Sequence, residues 1–158
     1  MTADSFDDAP DLRTLADYQF GRGSGTALFP PAEALTVKRT SSGRPEQIIA
    51  DAGRVVSYGT DGRFTLGIEG GHRLHEALDA PTGRVVVGDD SEPFVRDGKN
   101  VFAKFVREAD SQIRPGDEVL VVHYEGHLLA VGRAELAAEA MQDFDSGMAV
   151  NVRDGADE

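Results

Sequence analysis

The chain has 158 residues, 40% of them apolar, with 18 glycines, no cysteine and a formal net charge of −12. That length suits one medium domain or two small ones. Without cysteine there are no disulfides, no thiol catalysis and no cysteine-ligated zinc. No apolar run approaches the ~18 residues of a membrane helix. The start, Met1-Thr2-Ala3-Asp4-Ser5-Phe6-Asp7-Asp8, is acidic and lacks the basic end and apolar core of a signal peptide. A soluble, cytoplasmic protein with no membrane partner is expected.

The charge has an uneven make-up. There are 28 acidic and 16 basic residues, and only Lys38, Lys99 and Lys104 are lysine, which leaves 13 arginines. An acidic excess argues against nucleic acid, whose phosphates call for cations. Abundant aspartate with scarce lysine, however, is the composition expected of a halophilic protein solvated in molar salt. There the Debye length falls to about 3 Å and self-repulsion of an acidic surface is weak. Net charge then reports the solvent, and local basic residues report the partner.

Residues 1–10 are expected to form a flexible acidic tail. From Asp11 to Phe20, Leu12, Leu15, Ala16 and Phe20 fall near helical spacing. Gly21-Arg22-Gly23-Ser24-Gly25 ends that helix. No strand-like run precedes these glycines and no Lys-Ser/Thr pair follows, so a nucleotide-binding loop is not supported, and a flexible turn near RNA backbone is expected instead. Strand-like runs follow at Leu35–Lys38, Gln47–Ala50, Val55–Tyr58 and Arg63–Ile68, the last three separated by the turns Asp51-Ala52-Gly53 and Thr60-Asp61-Gly62. Gly70 to Leu78 reads as a helix. Residues 11–79 thus form a compact α+β domain of helix, antiparallel meander and helix.

Asp79-Ala80-Pro81-Thr82-Gly83 marks the boundary. Arg84–Val87 opens the second domain as a buried strand. Glu92–Arg96 reads as an extended edge piece because of Pro93. Gly98 to Val106 reads as a short helix with Val101, Phe102, Phe105 and Val106 on one apolar stripe. Strands are expected at Glu118–Tyr124, Leu128–Arg133 and Gly147–Arg153, with a small helix from Ala134 to Met141. Short strands with two short helices suggest a closed or nearly closed β barrel.

Phe94-Val95-Arg96-Asp97-Gly98-Lys99-Asn100-Val101-Phe102-Ala103-Lys104-Phe105-Val106, Ile113-Arg114-Pro115-Gly116-Asp117-Glu118-Val119, Leu129-Ala130-Val131-Gly132-Arg133-Ala134 and Gly147-Met148-Ala149-Val150-Asn151-Val152-Arg153 occur in order with regular spacing. Together they resemble a PUA domain, the RNA-binding pseudo-barrel, over 84–155. Leu12-Arg13-Thr14-Leu15-Ala16-Asp17-Tyr18-Gln19-Phe20-Gly21, Gly23-Ser24-Gly25, Ser41-Ser42-Gly43-Arg44 and Asp61-Gly62-Arg63-Phe64-Thr65-Leu66 resemble the small domain that precedes the PUA domain in archaeal tRNA-guanine transglycosylase, the archaeosine enzyme. The resemblance implies an α+β domain followed by a PUA-type β pseudo-barrel. It reaches only the accessory C-terminal part of that enzyme, whose catalytic barrel and zinc-binding cysteines have no counterpart in these residues. It implies binding of tRNA or other structured RNA, at a surface that maps to Arg96 through Lys104.

Within that surface Gly98 can let a phosphate approach the backbone, and Lys99 and Lys104 can neutralise phosphates. Asn100 either bonds a base edge or sugar or caps the helix. Arg107, Arg133 and Arg153, with Arg96, are candidate backbone contacts, of which at least half are expected to be ordinary surface arginines. Phe94, Phe102 and Phe105 offer a stacking face, although the stripe favours core packing for Phe102 and Phe105. His72 and His75 have metal-like spacing without a third ligand, and no nucleophile–base constellation is visible. No metal, no cofactor and no enzymatic activity are expected. The expected function is non-catalytic RNA binding, alone or assisting a separately encoded RNA-modification enzyme. The rival is a protein-interaction adaptor that keeps the fold, favoured by Glu92, Asp97, Glu108 and Asp110, which dilute the basic cluster.

Overall fold

The computed structural model describes residues 3–6 and 11–157. The chain divides into two compact units, residues 1–78 and 79–158.

In the first unit β1 (Ala3–Ser5), β2 (Thr36–Arg39), β3 (Pro45–Ala50), β4 (Gly53–Tyr58) and β5 (Phe64–Leu66) form an antiparallel sheet in sequential order. The expected meander is present, with one strand more. Ala3–Ser5 pairs with β2, so this part of the expected tail is ordered; the other tail residues 1, 2 and 7–10 lie outside the described residues. Phe6 explains the anchoring. Its ring stacks on Phe29 with centroids 4.8 Å apart, and Phe29 meets Phe64 edge-on at 5.8 Å. Full burial of a phenylalanine such as Phe29 contributes about 1.5–3 kcal/mol.

Helix α1 (Leu12–Phe20) forms where the apolar spacing predicts it. Its Gln19 side chain donates to the Phe64 carbonyl and accepts the Phe64 amide, both at 2.7 Å, satisfying the free backbone of the edge strand β5. Only the first part of the glycine run after α1 is a turn, at Arg22 and Gly23. Ser24–Leu28 forms a short helix, α2, packed on α1. A β-carbon at Gly25 would collide with the Arg13 carbonyl, and the Gly25 amide donates to Asp17 Oδ1 at 2.7 Å. The glycine there serves helix–helix contact. Helix α3 (Ile68–Ala77) starts two residues before the expected Gly70. Gly70 instead sits against the Val55 carbonyl, where any side chain would collide, and so lets α3 lie directly on β4. Arg73 on α3 binds both oxygens of Glu33 at 2.7 Å, Glu69 at 2.9 Å and the Leu28 carbonyl at 3.1 Å. The Glu33 bonds, outweighing partial burial, raise its pKa further above the usual arginine value.

In the second unit β6 (Arg84–Val87), β7 (Val101–Phe102), β8 (Glu108–Ala109), β9 (Glu118–His123), β10 (Leu128–Ala134) and β11 (Met148–Gly155) form a curled sheet. The order is β7-β11-β10-β9-β6-β8, with only β6–β9 parallel. The two edge strands β7 and β8 are close neighbours in sequence, so the segment between them joins opposite edges of the sheet. This curled six-stranded half-barrel is the PUA-type architecture expected. Central strands β9 and β10 are buried along nearly their whole length, as a curled sheet covered on both faces requires. Helix α5 (Ala138–Asp143) places Met141 fully in the core. It begins later than the expected Ala134, because Ala134 ends β10 and exchanges backbone bonds with Gly116 and Asp117.

Two expectations fail around residue 98. Glu92–Arg96 is a helix, α4, rather than an extended piece. Pro93 lies in its first turn, where a missing N–H costs nothing, and Arg96 pairs with Glu92 one turn back. Gly98–Val106 is not a helix: it is a turn, the two-residue β7 and a 3-10 turn at Ala103–Phe105. The segment follows a period of two at its start, with Val101 and Ala103 inward and Phe102 outward.

Candidate nucleic-acid interface

The expected interface is therefore built on the end of α4, the turn after it, β7 and the following 3-10 turn. Gly98 adopts φ +91° in that turn, and the Lys99 amide donates to the Phe94 carbonyl at 2.9 Å, closing the end of α4. Phe94 is 62% exposed and lies beside Lys99 in this turn. Phe102 and Phe105, expected in the core, are 45% and 43% exposed, because the period-two backbone points Phe102 away from Val101. Lys104 is exposed, its Nζ 5.1 Å from the centre of the Phe105 ring. Three aromatic faces and two lysines thus alternate along 94–105.

The arginines differ among themselves. Arg96 Nε binds Glu92 at 2.9 Å, and its Nη1 donates to the carbonyls of Ala156 and Asp157. That ion pair comes first among the causes that lower the Glu92 carboxyl below its usual pKa, with His127 adding to it. Arg133 binds Glu135 at 2.9 Å, and Arg153 makes two bonds to the carboxylate of Glu118. Arg107 stacks on Tyr124, 4.5 Å from the ring centre, with its guanidinium beside Gly88. Among the described residues Lys99, Lys104 and Arg107 have no carboxylate partner within ion-pair distance. These three are the cations of the expected set that remain available to a phosphate.

Asn100 has a backbone role: its Oδ1 accepts the Val152 amide at 2.9 Å, tying the turn to β11. Asn100→Ala leaves that partly buried donor without its acceptor, and urea denaturation is expected to register a loss of about 1–2 kcal/mol. An unchanged midpoint would free Asn100 for an RNA contact.

Tyr124 was not evident in the sequence as part of this region. Its only signal is an aromatic at the exposed end of an otherwise buried strand. His72 is exposed and His75 half-buried on α3, whereas His123 and His127 face Glu92 in the second unit. Among the described residues no helix is long and apolar enough to cross a membrane.

Residues 10–81 match the patch-forming domain C2 of tRNA-guanine transglycosylase, and residues 83–156 match the PUA domain. The chain is 48% identical over 147 residues to tRNA-guanine(15) transglycosylase of Thermococcus kodakarensis, covering 92% of this chain and 25% of that protein. For the enzyme of Methanothermobacter thermautotrophicus the identity is 44%, with 94% and 23% covered. The chain thus spans about a quarter of the length of these curated relatives. A hypothetical protein of Pyrococcus horikoshii shares the fold at a TM-score of 0.75 and 22% identity, covering 99% of this chain and 95% of that one. A conserved PUA domain protein of Thermoplasma acidophilum shares it at 0.63 and 21%, covering 99% and 93%. The chain is therefore a PUA-domain protein whose first unit is a patch-forming C2 domain of the tRNA-guanine transglycosylase type.

Proposed function

We propose that the chain is a non-catalytic RNA-binding module that takes tRNA, or another structured RNA, on the 94–107 segment of its PUA domain and assists a separately encoded RNA-modification enzyme. The observation that carries this reading is that Lys99, Lys104 and Arg107, exposed and without a carboxylate partner among the described residues, share the short segment 94–107 with the exposed rings of Phe94, Phe102 and Phe105. Phosphates would be met by the cations and unstacked bases by the rings. Gly98 and Asn100 shape the turn. Arg96, Arg133 and Arg153 are second-rank contacts, since each must share its guanidinium with a carboxylate already bound to it. The functional domains run over 11–79 and 84–155, the protein works in the cytoplasm of a halophilic archaeon, and RNA binding itself uses no cofactor. The similarity to relatives named for tRNA supports tRNA as the first RNA to test.

Fluorescence anisotropy with labelled archaeal tRNA, over a series of KCl concentrations, tests the proposal. Saturable binding that weakens linearly in log salt is expected. Absence of binding at every salt concentration, with protein partners recovered instead, would favour the adaptor. The three carboxylate-paired arginines are the feature that speaks for that rival.

A further inference from the structure

At one end of the second unit, side chains from four places in the sequence converge beside Arg96 and Tyr124. Asp89 follows β6, Glu92 begins α4, His123 ends β9 and His127 precedes β10. Three of them, Glu92, His123 and His127, each offer a ligand atom, and these atoms lie within 4.8 Å of one another. The two imidazoles stack, with centroids 4.6 Å apart and planes 13° from parallel. His127 Nε2 is 3.2 Å from Glu92 Oε2. Glu92 Oε1 is 3.8 Å from His123 Nε2. That separation is too long for a hydrogen bond, and it suits two atoms each about 2.0–2.2 Å from one shared ion. Asp89 Oδ1 is 2.5 Å from His123 Nε2, beside the place a fourth ligand would take.

We propose that Glu92, His123 and His127 form a binding site for a divalent transition-metal ion of the zinc class, with Asp89 at the fourth position. Two imidazoles and a carboxylate are donors suited to zinc-like ions. His123 is 1% exposed and so cannot turn away to solvent. An open cavity of about 550 Å³, lined in part by Asp89, Glu92, Asp97 and Asp157 against the single cation Arg96, gives an acidic approach for the ion.

Binding requires a change of tautomer at His123. The Glu125 amide donates to His123 Nδ1 at 3.0 Å, which places the ring proton on Nε2, toward Asp89. An ion on Nε2 displaces that proton, and the ring then carries one on Nδ1. Glu125 Oε1 lies 3.6 Å from Nδ1, beyond hydrogen-bond distance, and a shift of about half an ångström would let it accept that proton in the carboxylate–histidine–metal arrangement that orients a ligand. The Glu125 amide lies in an exposed turn and passes to water. The ion would join the β9–β10 hairpin to the start of α4, whose other end carries the Lys99 turn.

The test is calorimetric titration of untagged, EDTA-treated full chain with zinc chloride, together with the visible spectrum on adding cobalt(II). One saturable equivalent, a tetrahedral cobalt spectrum and a raised melting temperature are expected. His127→Ala, at a half-exposed ring, is expected to weaken zinc at least about tenfold, and Glu92→Gln to do the same. His72→Ala/His75→Ala is expected to change nothing. No saturable uptake, equal uptake by the His127→Ala and Glu92→Gln variants, or loss of uptake in the His72→Ala/His75→Ala variant would each overturn the assignment.

Discussion

Replacing Lys99 and Lys104 together by alanine is expected to weaken tRNA binding on the order of tenfold and to lower the magnitude of the log K–log salt slope by about 1.5–2. Two phosphate contacts would be lost, and each releases close to one counterion. Both side chains are exposed and have no carboxylate partner among the described residues, so the fold should be unaffected. The loss should also be nearly uniform across RNA sequences, because phosphates carry no sequence information. Arg153→Ala makes the contrast. Its guanidinium is held by Glu118, so its removal should change affinity much less. A salt series on the double variant checks both values. Unchanged affinity and slope would remove Lys99 and Lys104 from the interface.

The largest expected loss of stability is at Phe29 in the first unit. Phe29→Ala removes a fully buried ring that touches both Phe6 and Phe64, and about 3–5 kcal/mol should be lost. Three elements depend on this ring: Phe6 beyond β1, the segment after α2, and β5. Urea denaturation should show the midpoint falling with little change in the slope of the transition. A loss below about 1 kcal/mol would mean that Phe6 and Phe64 close over the space, contrary to the stacked geometry.

The sequence was most readable where one period ruled. Helix α1, the antiparallel meander, β6, β9 and β10 follow from apolar spacing and turn residues, because each has a well-defined buried face. The region around residue 98 is ambiguous in sequence because Val101-Phe102-Ala103-Lys104-Phe105-Val106 fits a helical stripe and a strand about equally well over six residues. Tertiary context decides between them: β7 pairs with β11, and Asn100 accepts from Val152. Pro93 in the sequence suggests an edge strand, yet it suits a first helical turn equally well. Helix α2 has five residues and exists through the Gly25 contact with α1, which no local pattern records.

The candidate interface was legible in part. Scarcity singled out Lys99 and Lys104, and both are exposed. The Arg96–Glu92 pair is one helical turn apart and could have been read once α4 was known. Arg153–Glu118 joins residues 35 apart on β11 and β9, and only the folded sheet brings them together. The histidines show the same limit. His72 and His75 stood out by helical spacing, while His123 and His127 meet across a hairpin and find Glu92 only through packing.

Ultraviolet cross-linking of the protein to tRNA at high KCl, followed by identification of the cross-linked peptides, tests the central claim most directly. Cross-links should fall in the peptide that carries Phe94, Lys99, Phe102, Lys104 and Phe105, and should diminish in the Lys99→Ala/Lys104→Ala variant. Cross-links confined to the first unit, or spread evenly over the surface and indifferent to that variant, would contradict an RNA interface on this edge of the PUA domain.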